Sequence, residues 1–175
     1  MSFKTRELED FTREELLEYI GWMAQLWQVL DGVWFMAVEK AYGQETALEM
    51  DWQAWKHYSV SETKRLMKWL GLTPGGGIFA LRQLLALRPQ ARLNPCEFIE
   101  NGENELIYRI KSCRVQAARR RAGLPDHPCK RIGVTEYEEL ARVVDPRIRV
   151  SCLYCPPDSC PEDYACAWKF ELVRQ

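Results

Sequence analysis

The sequence predicts an α+β fold: an N-terminal helical bundle packed on a C-terminal antiparallel sheet of about four strands, with two helices interspersed among the strands. Three observations predict it. Apolar residues recur at spacings of three and four from Leu16 to Leu87, and they alternate at spacing two around Tyr108 and on both sides of Cys152–Cys166. The change of period falls between Pro89 and Pro95, so residues 1–90 form the helical part and 95–175 the sheet part of one domain, a size that buries a substantial core.

The elements follow in order. Thr12 and Glu15 have capping-box spacing, and Leu16, Ile20, Met23, Trp27, Leu30 and Trp34 then mark a long amphipathic helix running to Tyr42-Gly43, with Asp31-Gly32 a natural place for a kink or break. From Gln44 to Leu70 the spacing predicts two further helices, the second opened by Ser61-Glu62-Thr63. Thr73-Pro74-Gly75-Gly76-Gly77 reads as a flexible connection, because no Lys-Ser or Lys-Thr follows it to make a phosphate cradle. Ile78 to Leu87 is a short apolar helix ending before Pro89. Residues 97–101 and 106–111 flank Asn101-Gly102-Glu103-Asn104 as a hairpin, Cys113 to Ala122 and Val134 to Val144 are helical, and Asp145-Pro146 stops the second of these.

The final hairpin carries the densest chemistry. Ile148, Val150, Cys152 and Tyr154 share one face of the first strand, and Cys166, Trp168, Phe170 and Leu172 one face of the second. With a loop centred near Ser159, the register places Cys152 opposite Cys166. Four of the seven cysteines fall within Cys152–Cys166, and Cys155 lies where the strand enters the loop. Converging thiolates favour zinc, an iron–sulfur cluster or copper(I). The candidate ligands are Cys152, Cys155 and Cys166 with Cys129 as the fourth, and Cys113, Cys160 and His127 are the alternatives. Buried cysteines acting as small hydrophobes, or a redox pair, are the competing readings.

Composition narrows the function. Apolar residues make up 47% of the chain and seven are tryptophan, which excludes general disorder. A net charge of −1 predicts no global attraction to nucleic acid or an anionic membrane. The first ten residues have no apolar signal-peptide core, and no run reaches the roughly 20 apolar residues of a membrane span. The expectation is a cytoplasmic protein, in which cysteines serve as thiols or metal ligands rather than disulfides. A homodimer would cover some of the tryptophans.

Asp31, Trp34, Glu39 and Trp55 are the candidate lining of a small-molecule pocket, with Asp31 its acid. Residues 109–131 hold eight basic side chains against one acid, Asp126, and Arg119 and Arg120 are the candidates to grip an anionic ligand. No interleaved aromatics offer a stacking platform for RNA. A solvated face balanced by the acidic N-terminal helices is the alternative.

Several segments taken together resemble a known family: Asp31-Gly32-Val33-Trp34-Phe35, Gly123-Leu124-Pro125 with Pro128-Cys129-Lys130, Asp145-Pro146-Arg147-Ile148, and Cys152-x-x-Cys155-Pro156-Pro157-Asp158 leading to Cys166-Ala167-Trp168-Lys169-Phe170. The set is similar to a family of small, functionally uncharacterised prokaryotic cytosolic proteins that resemble L-2-amino-thiazoline-4-carboxylic acid hydrolase-like proteins and, more distantly, vinyl-reductase-type ligand-binding domains. The resemblance runs from about Leu16 onward. It implies helices packed on an antiparallel sheet with a small organic ligand between them, and it transfers no catalytic residue.

Three functions follow from these readings. The first is a binding or sensor protein with a cysteine-held metal and a tryptophan-lined pocket. The second is a hydrolase of a small C=N or amide-type substrate, using a metal-activated water or a cysteine with Asp31, Glu39 or His127 as proton carrier. The third is a structural interaction module with core cysteines.

Overall fold

The computed structural model describes residues 6–159 and 161–173. A 3-10 turn at Leu8–Asp10 leads into α1, Arg13–Tyr42. Its capping box forms as expected: Thr12 Oγ1 accepts from the Glu15 N–H at 3.2 Å, and the Glu15 carboxylate accepts from the Thr12 N–H at 2.8 Å. The helix passes through Asp31-Gly32 without a break. One glycine costs about 1 kcal/mol, less than is lost by ending a packed helix there. The stop comes at Gly43, whose φ of +88° suits glycine.

The two helices expected between Gln44 and Leu70 are one, α2. Ser61-Glu62-Thr63 caps nothing, because the flanking hydroxyls bond backward within the helix: Ser59 Oγ donates to the Trp55 carbonyl at 2.7 Å and Thr63 Oγ1 to the Ser59 carbonyl at 2.7 Å. The helix ends at Gly71 in the left-handed conformation. Next come α3, Gly77–Leu87, and α4, Pro89–Leu93, a short helix that uses Pro89 in its first turn, where no N–H is needed.

The Gly75–Gly77 run is fastened rather than free. The Gly75 N–H donates to the Val144 carbonyl at 2.9 Å, and the Gly77 N–H donates to Asp145 Oδ2 at 3.2 Å. The Asp145 carboxylate thus occupies the N-terminus of α3, and Arg147 holds it there at 2.7 Å.

The strands are β1 Cys96–Glu100, β2 Glu105–Ile110, β3 Ile148–Tyr154 and β4 Cys166–Leu172, and α5 (Arg114–Arg121) and α6 (Lys130–Val144) separate the two hairpins. The sheet is antiparallel in the order β1-β2-β4-β3. Leu106, Tyr108, Ile110, Ile148, Trp168 and Phe170 face the buried sides of α3 and α6, with Leu81, Leu84, Leu85, Tyr137, Leu140 and Val144 among the partners. The α+β architecture is as the sequence predicts.

Two expectations fail in instructive ways. Cys152 does not face Cys166: it pairs with Trp168, Cys166 pairs with Ile110 of β2, and a bulge lies between Cys152 and Tyr154. The shift is of two residues, so the same faces stay buried. A Cβ at Gly133 of α6 would meet Trp168 Cζ2 at 2.7 Å, so the ring lies directly on the glycine, and Tyr137, one turn on, packs against it with centroids 4.7 Å apart. On α1 the expected apolar face turns outward. Ile20, Met23, Leu30 and Trp34 are exposed, whereas Ala24 and Phe35 are buried. Small and flat groups let α1 lie close on α2 and α4, and the bulky residues are left on the far side.

Candidate functional site

The six described cysteines lie toward one end of the sheet. Cys96 opens β1, Cys166 opens β4, Cys152 and Cys155 stand at the far end of β3, and Cys113 and Cys129 immediately precede α5 and α6. Cys155 is the hub, only 2% exposed. Its thiol donates to the Cys166 sulfur, which together with burial and the neighbouring Cys129 and Cys152 pushes the Cys155 pKa far up. The same hydrogen bond lowers the Cys166 pKa against the effect of burial. Burial raises both Cys113 and Cys129, and each of them also feels the Cys166 sulfur.

Three further features bear on negative charge at this place. The Trp168 indole N–H is buried without a hydrogen-bond partner among the described residues and lies beside Cys166, where it favours a thiolate. The Lys130 ammonium sits near Cys152 and Cys155 and pairs with Asp158 at 2.8 Å. The N-terminus of α6 points the same way from Cys129, and the Lys130 N–H pins the loop by donating to the Pro156 carbonyl at 2.9 Å. The donor chemistry is that of a soft-metal site, but among the described residues no three His, Cys, Asp or Glu side chains stand close enough to enclose an ion.

Next to the thiols, a polar seam runs between α1, α2 and α6. Arg88 is buried between two carboxylates, with Nε to Glu62 at 2.7 Å and Nη2 to Glu136 at 2.6 Å. Burial alone would lower the Arg88 pKa, but Glu136 and Glu62 more than offset it, and burial raises the pKa of Glu136 in turn. Tyr58 donates to Glu62 at 3.1 Å. His127 Nε2 lies 3.6 Å from Asp51 Oδ2 under the edge of Phe35, with ring centroids 4.8 Å apart. Gln116 holds the His127 backbone from both sides and donates to Cys129 Sγ at 3.3 Å, which joins seam and thiols through three residues. Asp31 faces this seam. Burial and the Asp51 charge raise its pKa to about 6, partly opposed by His127. Trp27, Trp55 and Tyr58 cluster at one side, with Trp27 stacked on Tyr58 at 5.6 Å and meeting Trp55 edge-on at 5.9 Å.

The structure makes Cys129, Cys152 and Cys166 electrostatic neighbours of Cys155, with Cys113 a neighbour of Cys129 and Cys166, but among the described residues it draws no three of them into a metal-holding group. Cys160 lies outside the described residues. The His127 ring turns to Asp51, away from the sulfurs. Of the expected pocket, Asp31, Glu39 and Trp55 lie on the inner side of the helix pair, whereas Trp34, one turn on from Asp31, is 69% exposed. The basic segment is balanced from within: Arg119 donates to the Pro125 carbonyl at 2.7 Å and pairs with Glu39 at 3.5 Å, Arg120 grips Asp126 at 2.8 and 2.6 Å, and Arg131 reaches Glu49 at 2.8 Å. Glu62, Arg88, Glu136, Asp51 and Gln116 carry no motif. Only Asp51, with Ala47, Leu48, Ala54 and Trp55 at three and four, carries a sequence signal, a charged residue among apolar helix neighbours.

Among the described residues no helix is long and apolar enough to cross a membrane. No curated protein and no solved structure matches this chain. Residues 9–172 match DUF6125, a family of unknown function, and the chain belongs to that family.

Proposed function

We propose that the protein is a small-molecule-binding or sensor protein whose cysteine cluster takes a thiophilic metal, zinc or an iron–sulfur cluster. One observation carries the reading: Cys155 is buried with the sulfurs of Cys166, Cys129 and Cys152 as its electrostatic neighbours, four thiols drawn from two strands, a loop and a helix start. Binding would draw the sulfurs together and release their protons. Lys130, the α6 N-terminus and the Trp168 N–H would offset the resulting negative charge. The group itself would supply a clamp between the β3–β4 loop and α6. The adjoining seam, acidic and lined by Trp27 and Trp55, suits a small organic ligand with a positive or proton-donating group.

The test is metal and labile-sulfide content of protein purified without oxygen. Stoichiometric metal in the wild type and in Cys96→Ser, with loss in Cys155→Ser and Cys166→Ser, is expected. A metal-free wild type, or equal loading in all four proteins, contradicts the proposal.

A second reading, a hydrolase of a small C=N or amide-type substrate, is favoured by Asp31 near pKa 6 beside the Asp51–His127 pair, an arrangement able to hold or pass a proton at neutral pH. L-2-amino-thiazoline-4-carboxylate is the probe, because its cyclic isothiourea is a cation that a carboxylate pairs with. Turnover by the wild type that is lost in Asp31→Asn supports this reading, and no consumption of the probe at pH 5–8 ends it.

A further inference from the structure

The outer face of α1 has no partner among the described residues. Ten large apolar side chains between Tyr19 and Met36 are 44–70% exposed, and Asp31, on the inner side, is the one charged residue in that span. The stripe lies about 170° round the helix from buried Ala24 and Phe35. At roughly 80 Å² per half-exposed side chain it offers on the order of 800 Å², the share that one subunit of a standard stable complex contributes.

We propose that this stripe is the interface of a homodimer in which two α1 helices pack antiparallel across a two-fold axis near Val29. The repeat is the first argument. Trp22, Val29 and Met36 fall seven residues apart in one column, and Leu26 and Val33 fall seven apart in the next, the spacing that keeps one apolar seam facing a second helix. Charge is the second argument. Glu18 lies at the N-terminal edge of the stripe and Lys40 at its C-terminal edge. An antiparallel pair centred on Val29 sets each Glu18 against the other subunit's Lys40 and each Trp22 against the other's Met36. A parallel pair sets like charges together. An uncharged face of this length also needs an apolar partner, and a second copy presents a matching one.

The test uses the full chain and light scattering coupled to size exclusion. The wild type is expected to run as a dimer. Val29→Lys is expected to run as a monomer with unchanged far-UV circular dichroism and at least a hundredfold weaker self-association. Lys40→Glu should weaken the dimer about tenfold, and Glu18→Lys with Lys40→Glu should restore it. Oxidised Val29→Cys should give a covalent dimer on a non-reducing gel, whereas Trp22→Cys should link only when mixed with Met36→Cys. A monomeric wild type, self-linking of Trp22→Cys as in a parallel pair, or monomers that instead bind anionic or neutral phospholipid vesicles would overturn the proposal.

Discussion

α1 and α6 are both amphipathic, yet among the described residues only α6 has its apolar side covered. Ile132, Gly133, Tyr137, Leu140, Ala141 and Val144 of α6 are all buried, and the Trp168 ring rests on Gly133. α1 buries Ala24 and Phe35, half-buries Trp27 against α2, and turns Trp22, Leu26, Leu30 and Trp34 outward. Helical periodicity reports that a helix has an apolar face. It does not report what covers that face. Between the two helices lies the seam of Arg88, Glu62, Glu136, Asp51, His127 and Asp31, so the covered helix, the buried charges and the uncovered helix give three levels of sensitivity to mutation.

The largest effect belongs to the seam. Arg88→Met should lower the unfolding free energy by about 3–5 kcal/mol in a urea titration, because Glu62 and Glu136 are left buried without their counter-charge. On the covered helix, Gly133→Ala should cost about 2–3 kcal/mol, since the new methyl would stand 2.7 Å from Trp168 Cζ2 in a close-packed layer. The loss of fixed packing around Trp168 should also shift its fluorescence.

Asp31 gives a smaller, pH-dependent effect of predictable sign. Its folded pKa of about 6 lies above the unfolded value near 3.8, so the native state holds the proton more tightly. The associated stability is fully present below pH ~3.8 and is lost as pH rises through about 6. Asp31→Asn should therefore remove that slope and be about 1–2 kcal/mol more stable than the wild type at pH 7, with the difference closing by pH 4. The uncovered helix gives the smallest effect: in dilute protein Val29→Ala should change the unfolding free energy by less than about 0.5 kcal/mol. A loss above 1 kcal/mol there would mean that the outer face of α1 is covered within the subunit.

Much of the fold was legible in the sequence, for identifiable reasons. Thr12 with Glu15 marked the start of α1 because a capping box acts locally, and the alternation around Tyr108 and Phe170 marked both hairpins because each strand has one buried face. The register of β3 with β4 was not legible, since a shift of two residues leaves the same alternating faces buried and the bulge between Cys152 and Tyr154 has no signature in the alternation. Nor was the continuity of α2 through Ser61, because the hydroxyls of Ser59 and Thr63 have the same local chemistry whether they cap a helix or bond back within one. At the site, four clustered cysteine positions were visible as spacing, and Cys129 as the cysteine of a rigid Pro-Cys loop. The Arg88 bridge and the Gln116 clamp were invisible, because each joins residues far apart in the chain. Trp34 was misplaced because an exposed tryptophan and a pocket tryptophan have the same helical spacing.

The account rests most heavily on the four sulfurs acting as one centre. The most direct test is to titrate the metal-free, fully reduced chain with zinc, alkylate the accessible thiols and map the unmodified cysteines by mass spectrometry. The account predicts saturation at one zinc per chain with Cys129, Cys152, Cys155 and Cys166 protected. Alkylation of these four at the same rate with and without zinc would contradict it.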